Sequence, residues 1–325
     1  MKKLLSFLLV AVLLASVLLS CSPAKPETIN IYTLNGTTGF GIAKLMNDNK
    51  ETNDYTITVQ SDASVVTSAL INGDIDIAML PTNAAATVYN RTEGGVKILA
   101  VNTLGCLYLL TKDGVTVSSF ADLEGKTVYV PAQNPTFIFT DLCKKNGLIP
   151  GEDITIDSTS YAQAANLRDA LANGSVDIAV LPEPMVTIAI SQAKQNSLTI
   201  TNALDLTAEW DKVNEPGSLV QGCVVVRTAF LEAYPQAVED FLKAYENSIE
   251  YLSTNTADAA QMIVDNGIFT NATVAGKAIP KCNICYLDGK DMKSAMETYL
   301  SVLYSIQPTS IGGKVPDENF YYNAK

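Results

Sequence analysis

Short apolar runs bounded by turn residues recur along this chain, and they are typical of strands that are covered on both faces of a parallel sheet. Two such runs, at residues 75–80 and 176–181, each follow an Asn-Gly pair and end at a proline. Helix-like stretches separate them from the other apolar runs. We therefore expect strands and helices to alternate through the first two thirds of the chain.

An internal repeat carries this pattern. Residues 69–81, ALINGDIDIAMLP, return as residues 170–182, ALANGSVDIAVLP, at an offset of 101 (170 − 69) and with 9 of 13 positions identical. Gly73 and Gly174 stand where a helix ends in a left-handed residue, and a proline can then end the strand and open the next helix. A period of this length is too long for a solenoid, so we interpret it as a duplicated lobe.

The same order of elements surrounds each copy of the repeat. In the first half the sequence predicts a strand at residues 28–34, a turn at 35–40, a helix at 41–50 and a middle strand at 55–60. In the second half it predicts a strand at 127–130, a turn at 131–136, a helix at 137–145 and a middle strand at 154–157. From residue 229 to residue 307 the pattern is largely helical, with an amphipathic run at 238–252. We predict an α/β protein of two lobes with mainly parallel sheets and a helical C-terminal segment.

The N-terminus has the pattern of a bacterial lipoprotein signal. Lys2 and Lys3 precede an apolar run at residues 4–19, and Ser20-Cys21 follows. Leu-Leu-Ser-Cys looks like a lipobox, which implies lipid attachment at Cys21 and an extracytoplasmic, lipid-anchored protein on the bacterial cell membrane. An uncleaved membrane anchor and an ordinary cleaved signal are the alternatives. The predicted division of the chain is a signal at 1–20, a tether at 21–27, the first part of lobe 1 at 28–110, lobe 2 at 111–203, and the return to lobe 1 with the C-terminal helices at 204–325.

Composition excludes several classes of function. The chain has no histidine, so a Ser-His-Asp triad and a metal site with imidazole ligands are both excluded. Its net charge of −12 (22 − 34) argues against nucleic-acid binding. Cys282 and Cys285 have the spacing of a redox or zinc pair, but no second cysteine pair lies close enough to complete a zinc site. We expect no structural metal and no cofactor; a redox site is the alternative.

The candidate ligand site lies where parallel strands end, because open α/β sheets bind ligands beyond the carboxyl ends of their strands. Four turns follow such strands, and their glycines, hydroxyls, amides and one carboxylate suit hydrogen bonding to a small ligand. A helix cap is the alternative role for each. The predicted ligand-binding residues are Asn35, Gly36, Thr37, Thr38, Gly39, Phe40, Thr82, Asn83, Asn134, Thr136 and Glu183.

Four motifs in order give a family resemblance. They are NGDIDIA at residues 72–78, FADLEGKTV at 120–128, LPEP at 181–184 and YPQAVEDFL at 234–242. The chain resembles the substrate-binding proteins of ABC importers with the type II periplasmic-binding fold, in the group that takes sulfonates, taurine, nitrate and thiamine pyrimidine precursors. The resemblance implies two chain crossings near residues 105–112 and 203–220, a small ligand held between closing lobes, and delivery to a permease with its ATPase. It also implies a monomer without enzymatic activity.

Charge narrows the ligand class. None of the three arginines, Arg91, Arg168 and Arg227, falls in the four turns, whereas the carboxylate of Glu183 does. A carboxylate about 4 Å from an anion costs about 4 kcal/mol at an effective dielectric constant near 20. We therefore expect a neutral or amine-bearing nitrogen heterocycle, such as a vitamin precursor.

Four aromatic residues are candidates to stack on that ligand or to pack in the core: Phe40, Tyr108, Phe137 and Trp210. Three alternative functions remain open. The protein binds a sulfonate- or nitrate-type anion, presents a ligand to a membrane sensor, or is an enzyme on the same fold. The glycines after the first strand run GxxGxG and not GxGxxG, which argues against dinucleotide binding.

Overall fold

The computed structural model describes residues 26–323, and this part of the chain forms two β-sheets flanked by helices. The predicted signal segment, including Cys21, lies outside the described residues. The strands, in chain order, are β1 (Ile29–Leu34), β2 (Tyr55–Gln60), β3 (Ile77–Pro81), β4 (Val96–Leu104), β5 (Leu107–Lys112), β6 (Thr127–Tyr129), β7 (Thr155–Asp157), β8 (Ile178–Pro182), β9 (Ile200–Asp205), β10 (Val220–Arg227) and β11 (Ile284–Leu287).

Helices cover the faces of both sheets and fill most of the C-terminal third. In chain order they are α1 (Thr37–Phe40), α2 (Ala43–Thr52), α3 (Ala63–Asn72), α4 (Thr82–Arg91), α5 (Asn134–Lys145), α6 (Ala164–Ala172), α7 (Met185–Gln195), α8 (Leu206–Val213), α9 (Thr228–Ala233), α10 (Pro235–Thr254), α11 (Thr256–Asp265), α12 (Ala272–Ala278) and α13 (Gly289–Ile306). Short 3₁₀ turns lie at Phe120–Leu123, Ile279–Lys281, Pro308–Ile311 and Glu318–Phe320. Among the described residues, no helix is long and apolar enough to cross a membrane.

The sheet order defines two lobes. Lobe 1 contains the sheet β11-β4-β10-β3-β1-β2, and lobe 2 contains the sheet β7-β6-β8-β5-β9. In lobe 1, β1 to β4 run in one direction and β10 and β11 run against them; in lobe 2, only β5 runs against the others. This arrangement confirms the predicted two-lobed α/β fold with mainly parallel strand directions.

Two connections join the lobes. The chain passes from β4 to β5 through Gly105 and Cys106, and it returns between β9 and β10 by way of α8. Trp210 on α8 is completely buried, its indole Nε1–H donates to Ser218 Oγ at 2.8 Å, and its ring lies 6.0 Å from that of Tyr299 on α13. The boundaries at residues 110 and 203 stay predictions about which parts move together.

The duplicated motif forms the same structure in both lobes. Gly73 and Gly174 are left-handed, with φ of 82° and 81°, and Pro81 and Pro182 are the last residues of β3 and β8. Because the cap and the strand end are local features, the repeat was sufficient to predict them.

The aspartate shared by both copies anchors an antiparallel strand. Asp76 pairs with Arg227 at 2.8 Å, at the end of β10, and Asp177 pairs with Lys112 at 2.5 Å, at the end of β5. Strands β10 and β5 are the antiparallel neighbours of β3 and β8. In each lobe, the aspartate of the repeat therefore holds the strand by which the chain enters that lobe from the other one.

Strand β11 departs from the predicted helical C-terminal third. It is a half-buried strand of four residues that pairs with β4 and contains Cys285. Four apolar residues without alternation give no strand period, so long-range pairing with β4 decides the conformation.

Candidate functional site

The turns that follow β1 and β8 touch across the cleft between the lobes. Thr37, in the first turn after β1, donates its hydroxyl hydrogen bond to the backbone oxygen of Glu183 at 2.9 Å. Glu183 lies immediately after β8 in lobe 2. Two of the residues predicted from the sequence are therefore brought together, although 146 positions separate them.

The other two turns also meet. The side-chain amide of Asn134, at the start of α5 in lobe 2, donates to the amide oxygen of Asn83 in lobe 1 at 2.7 Å. Asn83 in turn donates to the backbone oxygen of Ser310 at 3.3 Å. The Oδ1 atom of Asn134 is buried and has no hydrogen-bond partner among the described residues. Each of the four predicted turns thus takes part in one of two contacts between the lobes.

The carboxylate of Glu183 is buried at this junction. Its residue is 2% exposed, and its oxygens accept from Thr187 N–H at 3.1 Å and Thr187 Oγ1 at 3.0 Å, in the first turn of α7. The Nζ atom of Lys281 lies 4.0 Å away. Burial raises the pKa of Glu183, while the Thr187 hydrogen bonds and the Lys281 charge act in the opposite direction. The side chain of Glu183 therefore makes the helix-cap interaction that is the alternative role for this residue, while its backbone oxygen contacts Thr37 of the other lobe.

A C-terminal segment completes the junction, and sequence reasoning missed it. Tyr108, on β5, donates through its hydroxyl to the backbone oxygen of Lys281 at 2.9 Å, and Asn283 donates through its side-chain amide to Gly105 O at 2.5 Å. Residues 281–283 therefore bind the first connection between the lobes. No local signal in the sequence marks this segment, because its partners lie more than 170 positions away.

Two buried thiols flank the hydroxyl of Thr37. Cys282 Sγ lies 4.0 Å from Thr37 Oγ1, and Cys106, in the first connection, contacts the same hydroxyl. Burial first and the charge of Glu183 second raise the pKa of Cys106 to about 12, and burial also raises the pKa of Cys282. Both thiols are therefore protonated and unreactive near neutral pH.

Most groups of the turn after β1 hydrogen-bond or pack against other parts of lobe 1. Gly36 is left-handed, with φ of 78°, and its N–H donates to Ile268 O at 3.1 Å. A Cβ atom on Gly39 would lie 2.0 Å from Leu34 O, so only glycine fits there. Asn35 N–H donates to Gln60 O at 2.9 Å, and Thr38 O accepts from Asn102. The backbone N–H groups of Asn35 and Gly36 thus have partners within lobe 1.

Three other predicted residues have internal partners. Phe40 is completely buried and packs edge-on against Phe269 in the core of lobe 1. Thr82 is buried and donates to Val220 O at 2.8 Å, and Thr136 donates to Pro131 O at 2.8 Å. These contacts explain why the fold needs the residues, and they provide no support for a role in ligand binding.

The remaining candidates are the aromatic residues proposed to stack on a ligand and the cysteines. Tyr108 and Trp210 are buried, and Phe137 is partly buried against the main hydrophobic core. The described cysteines are free thiols, and no cluster of three metal-ligating side chains occurs within residues 26–323.

The junction combines a buried carboxylate, a neighbouring ammonium group, amides and hydroxyls, with chain from both lobes. Such a set can donate and accept hydrogen bonds to a small polar molecule from two sides. Together, the two sheets, the two connections and this cleft define the two-lobed type II periplasmic-binding fold.

Comparison with known proteins agrees with this class. The model of the family described as "NMT1/THI5 like" matches residues 51–259, which is more than half of the chain. The chain belongs to the NMT1/THI5-like family. Comparison with the curated proteins gave no match.

Solved structures share the fold. An ABC transporter from Parabacteroides distasonis is 24% identical with a TM-score of 0.75, over 92% of this chain and 100% of that chain. The periplasmic aliphatic sulphonate binding protein SsuA from Escherichia coli is 14% identical with a TM-score of 0.69, over 86% and 92%. The periplasmic nitrate-binding protein NrtA from Synechocystis PCC 6803 is 14% identical with a TM-score of 0.60, over 87% and 82%.

Proposed function

We propose that this protein is the extracytoplasmic solute-binding component of an ABC importer. It captures a small ligand between its two lobes and delivers it to a membrane permease and ATPase, without chemical change to the ligand. The observation that carries the proposal is the meeting of four strand-end turns, two from each lobe, through Thr37–Glu183 and Asn83–Asn134. The family and the solved structures named above support the same role.

The favoured ligand is a neutral or amine-bearing nitrogen heterocycle. Glu183 supplies an acceptor for an N–H group, Thr37 supplies a hydroxyl beside it, and Asn83 and Asn134 supply amide groups at the second contact between the lobes. Its raised pKa expresses the free-energy cost of keeping a buried carboxylate ionised, and an N–H or ammonium donor from the ligand reduces that cost.

A sulfonate- or nitrate-type anion is the second candidate. Lys281 favours it, because this ammonium group lies 4.0 Å from Glu183 and is 48% exposed. The arginine count alone missed this cation. The similarity to SsuA and NrtA points the same way. The two charges of the Glu183–Lys281 pair cancel, however, so the pair as a whole favours a ligand without net charge.

The proposed location is the outer face of the bacterial cell membrane, with lipid on Cys21. The basic start, apolar run and Ser20-Cys21 support this assignment. Replacing Cys21 with Ala is expected to leave the protein unprocessed or release it to the soluble fraction. Wild-type processing and membrane retention of Cys21→Ala would show that another feature anchors the protein.

A thermal-shift screen of vitamins, their precursors, amino acids, sulfonates and nitrate tests the proposed function. A ligand present at 100 times its dissociation constant stabilises the folded state by about 2.7 kcal/mol. We expect a heterocycle of the first two groups to raise the melting temperature by several degrees. A response restricted to sulfonates or nitrate would establish the anion alternative, and no response from any class would contradict solute binding by this cleft.

A further inference from the structure

A groove runs along the outside of lobe 1 from the mouth of the cleft. It lies between α3 and α4 and has a volume of about 440 Å³. Residues at helical spacing line its two walls: Ser64, Thr67 and Ile71 from α3, and Asn83, Thr87 and Arg91 from α4. Asn83 and Arg91 are eight positions apart, so the groove extends about 12 Å along the helix axis.

Both helices begin at the cleft. Helix α3 leads into β3 and α4 leads out of it, so they run side by side, with their N-termini at the carboxyl ends of the strands. Asp62, the N-cap of α3, therefore marks the cleft end of the groove, and Arg91, in the last turn of α4, marks the far end. The groove thus has a carboxylate at one end and a guanidinium at the other.

The guanidinium of Arg91 is available for a ligand. Within residues 26–323 it forms neither a hydrogen bond nor an ion pair, whereas Arg168 pairs with Asp169 and Arg227 pairs with Asp76. At the opposite end, Asp62 Oδ1 accepts from Ser64 N–H at 2.8 Å. This hydrogen bond and a second one from the side chain of Ser64 lower the pKa of Asp62, so its carboxylate is ionised near neutral pH.

An apolar side chain lies at the guanidinium end of the groove. Ile71, in the last turn of α3 and therefore level with Arg91, has 45% of its surface exposed and lies beside the buried side chain of Val88. Between the two charged ends, Thr67 and Thr87 line the walls. A large aliphatic side chain exposed beside a guanidinium suits a ligand whose carboxylate is joined to an aliphatic chain.

Lobe 2 covers the cleft end. Gln133 lines the groove together with the lobe 1 residues, and its backbone is left-handed, with φ of 68°, which is unfavourable for a residue other than glycine. Its side chain has no hydrogen-bond partner among the described residues. A molecule in the groove would therefore contact both lobes.

We propose that this groove binds a linear zwitterion, with a carboxylate at Arg91, an aliphatic chain across Ile71, and an ammonium group between Asp62 and Gln133. The site adjoins the cleft junction, with which it shares Asn83, but it does not include Glu183, and it goes beyond the proposed function. Because Gln133 belongs to lobe 2, a bound zwitterion stabilises the contact between the lobes.

The test is calorimetry of 6-aminohexanoate with the full chain in nanodiscs of zwitterionic lipid, with empty nanodiscs as the blank. We expect saturable binding of one molecule per chain. Hexanoate, which lacks the ammonium group, and 6-aminohexanamide, which lacks the carboxylate, should each bind at least tenfold more weakly. Equal binding of all three compounds, or no saturable binding of 6-aminohexanoate, would overturn the proposal.

Variants assign each end of the ligand. Arg91→Gln should weaken 6-aminohexanoate at least tenfold and abolish its advantage over 6-aminohexanamide, and Asp62→Asn should abolish its advantage over hexanoate while keeping the helix cap. Arg168→Gln is the matched control and should change nothing. Unchanged binding by Arg91→Gln would refute the site.

The contribution of lobe 2 has its own variant. Gln133→Gly keeps the left-handed backbone and removes only the side chain, so binding should weaken several-fold. Unchanged affinity would refute contact with both lobes. A ligand captured at the cleft junction should bind Arg91→Gln as it binds the wild type, so failure of this proposal and failure of the proposed function are distinguishable.

Discussion

Replacing Glu183 with Gln removes one negative charge from the junction of the two lobes and keeps the size of the side chain. In the structure the carboxylate is buried and accepts two hydrogen bonds from Thr187. Gln retains one acceptor for Thr187 but loses the charge that attracts an N–H or ammonium donor. The substitution therefore separates ligand binding from helix capping.

The two roles differ in magnitude and in the property that changes. Loss of a hydrogen bond from a buried charged group to the ligand costs about 1.5–3 kcal/mol, or about one to two decades in dissociation constant. Loss of a cap interaction lowers the free energy of unfolding by about 0.5–2 kcal/mol and leaves the intrinsic affinity unchanged. We expect the first effect for Glu183→Gln.

Titration calorimetry with the ligand from the thermal-shift screen measures the affinity. Two controls accompany it. Thr187→Val removes the hydroxyl partner and should lower stability without a change in affinity, and Glu152→Gln makes the same chemical change at an exposed position of lobe 2. A dissociation constant for Glu183→Gln within about twofold of the wild type would refute ligand contact, assign Glu183 to the helix cap and favour the anion.

Three further predictions concern stability. Because burial raises the pKa of Glu183, the stability that its neutral form provides at low pH is lost as the pH rises through its ordinary and then its raised pKa. The melting temperature of Glu183→Gln minus that of the wild type should therefore increase from about pH 4 to about pH 7, and a constant difference would contradict the raised pKa. Asp76→Asn breaks a largely buried ion pair, so it should lower the free energy of unfolding, measured in urea, by about 1.5–3 kcal/mol. Asp177→Asn changes the matching position of the repeat, where the side chain is 63% exposed, and should cost under about 1 kcal/mol. Equal losses for the two variants would refute the difference in burial. Gly39→Ala should lower the free energy of unfolding by at least about 1–3 kcal/mol in the same assay, because its Cβ would lie 2.0 Å from a carbonyl oxygen. Gly276→Ala should be neutral or stabilising, because the atom nearest to its Cβ would be 3.6 Å away. A neutral Gly39→Ala would contradict the close approach.

The fold was predictable because its strongest signals are local. The Asn-Gly pairs that contain Gly73 and Gly174 end helices, and the prolines that follow end strands, wherever those elements lie in space. Their return after 101 residues then indicated two lobes. Strand β11 was missed because its pairing with β4 is a long-range contact without a local pattern.

The site was predictable only in part. The turns were located by the rule that ligands lie beyond strand ends, but the particular contacts Thr37–Glu183 and Asn83–Asn134 depend on how the lobes approach each other. Lys281 was missed because it reaches the cleft from a distant part of the chain. Phe40 was included as a possible ligand contact, whereas a large apolar side chain in a first helical turn packs more readily into the core, as it does here against Phe269.

A crystal structure of the chain with the ligand found by the screen tests the central claim most directly. The account predicts one ligand molecule between the lobes, within hydrogen-bonding distance of residues from at least one turn of each lobe, with Glu183 among its contacts. A ligand that lies outside this cleft, or that contacts only one lobe, would contradict capture between the lobes.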